Sequence, residues 1–232
     1  AGLLRLVFPC LLFGATATLA APVEQTLPTP TYEALLAAKV RLIPLLAQRL
    51  PKPIVQAGFG ALSVPVVRGK PTFKRREFVD VALDFTLHGM LRHGRNYAAQ
   101  QLTAGWPADK TERAVLAGMG GAAYLFAKVE STTPGEGLSI IDAGGKSGFI
   151  RDARFSKSIQ PGSGMAGFVF EAGGMLMVTG APFLVNWEPL TKSLSPALRT
   201  GRVWTLGDTP DPERRAAQMD YAASFIATMF SM

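Results

Sequence analysis

Cysteine is almost missing from this chain: Cys10 stands alone among 232 residues. A single thiol excludes an internal disulfide and any cysteine-based zinc site. Inside its apolar run it reads as a small hydrophobe. Histidine is nearly as scarce. His88 and His93 are the two present; five residues apart, they would diverge by about 140° on a helix. No carboxylate stands at a spacing that completes a metal site. Charged residues make up only 18% of the chain, against 48% hydrophobic. The longest apolar run, Leu6–Ala21, covers 16 residues, short of the roughly 20 that a helical membrane span needs. Gly-x-Ser-x-Gly is absent, so there is no nucleophile elbow.

Two glycine patterns are present and both are declined. Gly162, Gly164 and Gly167 fit G-x-G-x-x-G, but that fingerprint works between a strand and a helix. Here Phe168-Val-Phe170 reads on as strand. Gly145-Lys146-Ser147 resembles the end of a phosphate loop, yet Ile140 stands where the loop needs its first glycine. Asp142 and Asp152 flank one hairpin, and paired carboxylates can divide acid and base roles. Strand-end charges are the commoner reading. The composition calls for no cofactor and no metal, and the chain is expected not to be an enzyme.

Charge is unevenly spread. Residues 1–127 hold 14 Lys/Arg against 7 Asp/Glu, and 128–232 hold 10 of each, which together give the formal +7. The positive excess of the first half suits an acidic surface. Its densest cluster is Lys70, Lys74, Arg75 and Arg76, an expected partner- or anion-binding site. Phe73 and Phe78 lie beside it, without the repeated aromatic–basic interleaving of a base-stacking platform, so nucleic acid is disfavoured.

Four regions follow in order. Residues 1–22 carry one charge, Arg5, before Ala-rich small residues and Pro22. Three readings stay open for them: an uncleaved anchor or docking helix, a signal or transit remnant, and a buried helix. Residues 23–123 read as a basic helical region. Thr31 is set to cap a helix from Tyr32 to about Leu50, with Leu35, Leu36, Val40, Ile43, Leu46 and Leu50 as its stripe. Lys39 lies off that stripe, and Pro44 is expected to kink or interrupt the helix. Residues 51–72 read as extended connection with a short strand near Leu62–Val67. A helix from Lys74 to about Leu102 follows, with Gly89 and Gly94 as weak points. Asp109-Lys-Thr-Glu112 is a capping box for a third helix from Lys110 to roughly Met119.

Residues 124–186 read as an all-β module. Strands at Tyr124–Glu130, Leu138–Asp142, Phe149–Phe155, Met165–Phe170, Met175–Thr179 and Pro182–Asn186 alternate with glycine-rich turns. Such spacing predicts a small antiparallel β-barrel-like module, because closure removes exposed edges. Residues 187–232 read as an irregular stretch and a C-terminal helix capped by Asp211-Pro212. The stripe of that helix, which includes Met219, Ile226, Met229 and Phe230, must dock on this protein or on a partner.

Glu112-Arg-Ala-Val-Leu116, Tyr124-Leu-Phe-Ala-Lys-Val-Glu130, Pro134-Gly-Glu-Gly137, Asp142, Ser156, Pro161-Gly162 and Met177-Val-Thr-Gly180 together resemble uncharacterised bacterial proteins. Those carry a small β-module near SEC-C motifs. The resemblance spans about residues 109–186 and implies a β-module. The SEC-C zinc site needs cysteines this chain lacks, so no metal site and no known activity carry over.

The fold expected is α+β. The leading functional expectation is a non-catalytic, membrane-associated accessory or scaffold subunit. Other protein subunits and a membrane surface would be its partners, in an organellar or bacterial inner membrane, with an energy-transducing complex as one natural home. The alternative is an exported or periplasmic binding protein whose β-module holds a small ligand or peptide.

Overall fold

The computed structural model describes residues 30–180 and 182–232. The expectation for residues 1–22 therefore lies outside the described residues. The architecture is α+β: helices on the N-terminal side, a closed barrel, and helices again at the C-terminus.

Helix α1, Tyr32–Arg49, starts where the Ala34 amide donates to Thr31 Oγ1 at 3.3 Å, and it runs through Pro44 without interruption. Its buried face is Leu35, Ala38, Lys39, Leu42 and Leu46, while Val40 is 61% exposed. The stripe is thus rotated from the expected one, and Lys39 lies inside it. The supposed extended connection is in part a helix, α2, Lys52–Ala61, with Pro53 in its first turn, where a missing N–H is harmless. A two-strand hairpin follows, β1 (Val66–Val67) and β2 (Lys70–Pro71).

The long helix expected from Lys74 is two helices, α3 (Glu77–His88) and α4 (Tyr97–Thr103). His93 and Gly94 take positive φ between them, and Asn96 caps the second, accepting from the Ala99 amide at 2.9 Å. Helix α5, Lys110–Gly120, has the expected cap: the Glu112 amide donates to Asp109 Oδ1 at 2.8 Å. The Glu112 carboxylate does not reach back. It accepts from Arg41 Nε at 2.9 Å, tying α5 to α1.

The β-module contains β3 (Ala123–Thr133), β4 (Gly137–Asp142), β5 (Ser147–Arg151), β6 (Gly164–Ala172), β7 (Met175–Val178) and the short β8 (Phe183–Val185). The third strand, expected over Phe149–Phe155, ends at Arg151, and Phe155 begins a 3-10 turn, Phe155–Lys157. The order β3-β4-β5-β7-β6 closes through a β3–β6 pairing, and β8 lies along the start of β6. All pairings are antiparallel except β5–β7, which is parallel and joined at one register pair, Ile150↔Leu176. The barrel is therefore mixed rather than antiparallel throughout. β3 serves two neighbours, β6 along its first half and β4 along its second, with a bulge between Val129 and Ser131 where it curls. This is a five-stranded Greek-key barrel of the OB type.

Two cores share one wall. Inside the barrel sit Leu125, Ala127, Val129, Leu138, Ile140, Ile150, Met165 and Val169. On the outer side of β3 and β6, Tyr124, Phe126, Phe168 and Phe170 pack against the helices. Burial on both faces explains why these strands read as near-continuous apolar runs. The stretch after β8, expected to be irregular, contains α6, Trp187–Arg199. The last helix, α7 (Pro212–Ser231), begins with the Arg214 amide on Asp211 Oδ1 at 2.8 Å.

Candidate functional site

The basic cluster stands on the β1–β2 hairpin and the turn that leads into α3. Arg68 and Gly69 link the two strands with φ of +52° and +76°, the paired positive values of a type I′ turn. That turn holds Val66 and Val67 out into solvent, 64% and 56% exposed. Lys70, Lys74, Arg75 and Arg76 are all exposed, and Arg68 joins them at the tip. Among the described residues none of these five cations meets a carboxylate. Lys74 Nζ donates to the Ser231 carbonyl at 2.6 Å, at the negative end of α7. The Arg75 guanidinium lies 5.7 Å from the centre of the Phe78 ring. Glu77 and Asp80 in the first turn of α3 offset the basic residues at that positive helix end.

An aromatic base carries the hairpin. Phe73 meets Phe59 edge-on at 5.5 Å and Phe230 at 6.1 Å. Phe78 stacks on Phe230 at 4.6 Å and approaches Phe183 at 6.1 Å. Elements α2, α3, β8 and α7 thus converge beneath the cations, with two exposed valines between them.

The last-helix stripe meets this chain itself. Met219 and Ile226 are buried, Met229 is half-buried, and Phe230 sits in the aromatic base just described. Of the two docking alternatives for this stripe, Met219 and Ile226 take the one on this chain, while Met229 and Phe230 keep part of their surface open.

No family model, curated protein or solved structure matches the chain significantly. Function has to be read from the geometry.

The two candidate carboxylates do separate structural work. Asp142 is buried and clamps two backbone amides, Lys146 N at 2.8 Å and Leu206 N at 2.7 Å. Asp152 Oδ1 accepts from the amides of Arg154 and Phe155 at 3.1 and 2.7 Å. Gly162 is a turn residue at φ +88°, while Gly164 and Gly167 lie within β6. Gly145-Lys146 belongs to the β4–β5 turn, which is followed by a strand and no helix. His88 ends α3 in the core, and His93 is exposed in the following loop. Among the described residues no three His, Cys, Asp or Glu side chains cluster as metal ligands.

One polar group of the core escaped the sequence reading. Asp84 Oδ2 accepts from Thr179 Oγ1 at 2.7 Å, and its Oδ1 lies 3.5 Å from His88 Nε2. Lys39 Nζ reaches in from α1 and donates to the Val178 carbonyl at 3.0 Å. Burial pushes Asp84 up to about 7, with the Thr179 hydroxyl and the Lys39 charge opposing it. Burial pulls His88 down to about 4, with the Met119 carbonyl opposing. Lys39 is lowered by the same desolvation, against the attraction of Asp152 and Asp84. Asp84, His88 and Thr179 are all buried, so the group ties α1, α3 and the end of β7 together and offers no substrate access in this conformation. Its sequence signal was present: Lys39 stands four residues after Leu35 and three before Leu42, inside the helical repeat.

Proposed function

We propose that the protein is a non-catalytic accessory subunit held at an anionic membrane surface by its β1–β2 hairpin end. One observation carries this reading. Five exposed cations, without acidic partners among the described residues, stand on and beside a tight hairpin that exposes two valines and is followed by stacked phenylalanines of the body. Each Lys or Arg near an anionic leaflet adds on the order of 1 kcal/mol of attraction. Shallow insertion of Val66 and Val67 would add the apolar contact that charge alone lacks. Among the described residues no helix is long and apolar enough to cross a membrane, so the attachment argued from these residues is peripheral. The separate clamping roles of Asp142 and Asp152 support a non-catalytic role. The resemblance over residues 109–186 to SEC-C-associated β-modules is in keeping with the barrel and adds no activity.

Barrels of the OB type often take up oligonucleotides on the face of their second and third strands. Here that face, β4–β5, offers one cation, Arg151, which already lies 3.5 Å from Glu136. A single paired arginine is weak support for phosphate binding.

Flotation of the full chain with vesicles tests the reading. Binding to phosphatidylcholine containing phosphatidylglycerol should exceed binding to phosphatidylcholine alone and should fall with salt. The double variant Arg75→Glu/Arg76→Glu should weaken it by about tenfold or more, and Val66→Ser/Val67→Ser should weaken it without changing the salt dependence. Equal binding to both vesicles, unaffected by either variant, would remove the hairpin from the argument. Native electrophoresis of mildly solubilised source membranes tests the assembly: migration with other subunits is expected, and migration as a free single chain would refute it.

A further inference from the structure

The barrel seam opens into a cavity of about 680 Å³, within the range of small-molecule sites. Its position follows from the strand pairing. β5 and β7 share a single register pair, so the strands part beside it and leave a gap in the wall. The segment 204–210 crosses over that gap without filling it. It is a fixed cover: the Leu206 amide donates to Asp142 Oδ2 at 2.7 Å, and Lys146 Nζ donates to the Leu206 carbonyl at 2.7 Å. The cover packs closely on β5: a Cβ at Gly148 would lie 2.7 Å from Leu206 Cδ1. The first turns of α7 line the cavity opposite the strands, through Arg215, Gln218 and Met219.

Two polar side chains stand in this lining, and one of them lacks a counter-charge. Gln218 is 3% exposed, and its Nε2 donates to the Gly201 carbonyl at 3.3 Å. That bond sets the amide orientation and leaves Oε1 in the packed interior, closed off from the cavity. Arg215 is half-buried. One guanidinium nitrogen donates to the carbonyls of Gly120 and Ala122, at 2.8 and 3.4 Å. Among the described residues no carboxylate comes within ion-pair distance of it. The acid nearest in sequence along this lining, Asp208, is already engaged by Arg214 at 3.0 Å and Lys146 at 3.9 Å. Glu171 is exposed and sits among the lining residues. The apolar lining is aromatic and aliphatic: Phe149, Phe170, Trp204 and Leu176.

We propose that this cavity binds a small carboxylic acid with a ring body. The carboxylate meets the Arg215 guanidinium, and the ring lies against Trp204 and Phe149. The site is independent of the basic hairpin, so its test and the vesicle test succeed or fail separately.

Isothermal titration of the full chain with indole-3-acetate and with 3-methylindole decides the matter. Both probes carry the indole ring and its N–H, and only the first carries the carboxylate. The acid should bind at least about tenfold more tightly. Arg215→Gln should abolish that preference while leaving 3-methylindole binding unchanged, and Arg215→Lys, which keeps the charge, should retain part of it. Equal affinity of the wild-type chain for the two probes, or heat from neither at millimolar concentration, overturns the proposal without recourse to any variant. Retention of the acid preference by a folded Arg215→Gln chain overturns it as well.

Discussion

Asp84 shows how one residue sets the pH response of the core. Its folded pKa of about 7 lies above the ordinary carboxylate value of about 4. Between those values the folded chain holds a proton that the unfolded chain has released. The stability Asp84 contributes is therefore complete below about pH 4 and is lost as pH rises through 7. His88 acts in the opposite sense. Its folded value of about 4 lies below the ordinary 6.5 or so, so its contribution is complete above pH 6.5 and is lost as pH falls through 4. The two slopes oppose each other across the interval they share. Asp84→Asn keeps an acceptor for the Thr179 hydroxyl and removes only the first slope. The stability gap between variant and wild type, from urea unfolding at pH 4.5, 6 and 8, should widen in favour of the variant by a few kcal/mol, on the order expected for a buried carboxylate. A gap that stays constant with pH would show that Asp84 does not titrate in this range.

At the scale of elements, close approach decides where glycine is required. Gly118 on α5 lies against β6: a Cβ there would collide with the Glu171 carbonyl and sit 2.9 Å from Phe170 Cδ2. Gly60, near the end of α2, has nothing within 4 Å of the same position. Alanine favours both helices by up to about 1 kcal/mol over glycine. Gly60→Ala should therefore raise the melting temperature slightly, whereas Gly118→Ala should destabilise by about 1–3 kcal/mol because α5 must move off the barrel. Thermal melts of the pair test the packing with the propensity term held constant. The same distinction explains what was legible in the sequence. The barrel strands were, since each is bounded by residues that only a turn accommodates, such as Gly162 and the Gly173-Gly174 pair, all at positive φ. Helix α2 was not, because its prolines and glycines read locally as breakers. Pro53 is tolerated in the first turn, and Gly58 is a tertiary choice, a Cβ there colliding with Thr86. Helix α6 was missed in the same way, with Pro196 inside it. Of the candidate sites, the basic cluster was plain from local density. The cavity was invisible, for it joins Ser147, Leu176, Trp204 and Arg215, which only the topology brings together.

At the scale of the whole molecule, the shared wall predicts one cooperative unit. Leu125 and Phe126 are neighbours in β3, but Leu125 fills the barrel interior and Phe126 packs with Tyr221 and Phe225 of α7. Neither core can lose its side of the strand while the other keeps a straight, paired β3. The three tryptophans report on different places: Trp204 packs on the barrel core, and Trp106 and Trp187 on the helical one. A chain carrying only Trp204 and a chain carrying only Trp106 should therefore unfold in urea at the same midpoint, coincident with the far-ultraviolet signal. Leu125→Ala should lower both midpoints together, by the equivalent of about 2–5 kcal/mol for a buried leucine. Phe126→Ala should lower both together by about 3–5 kcal/mol. If Leu125→Ala shifted the Trp204 transition and left the Trp106 transition in place, the barrel and the helices would be separate folding units. The cavity proposed here, built from β5 and β7 on one side and α7 on the other, would then lose the rigid frame that its selectivity requires.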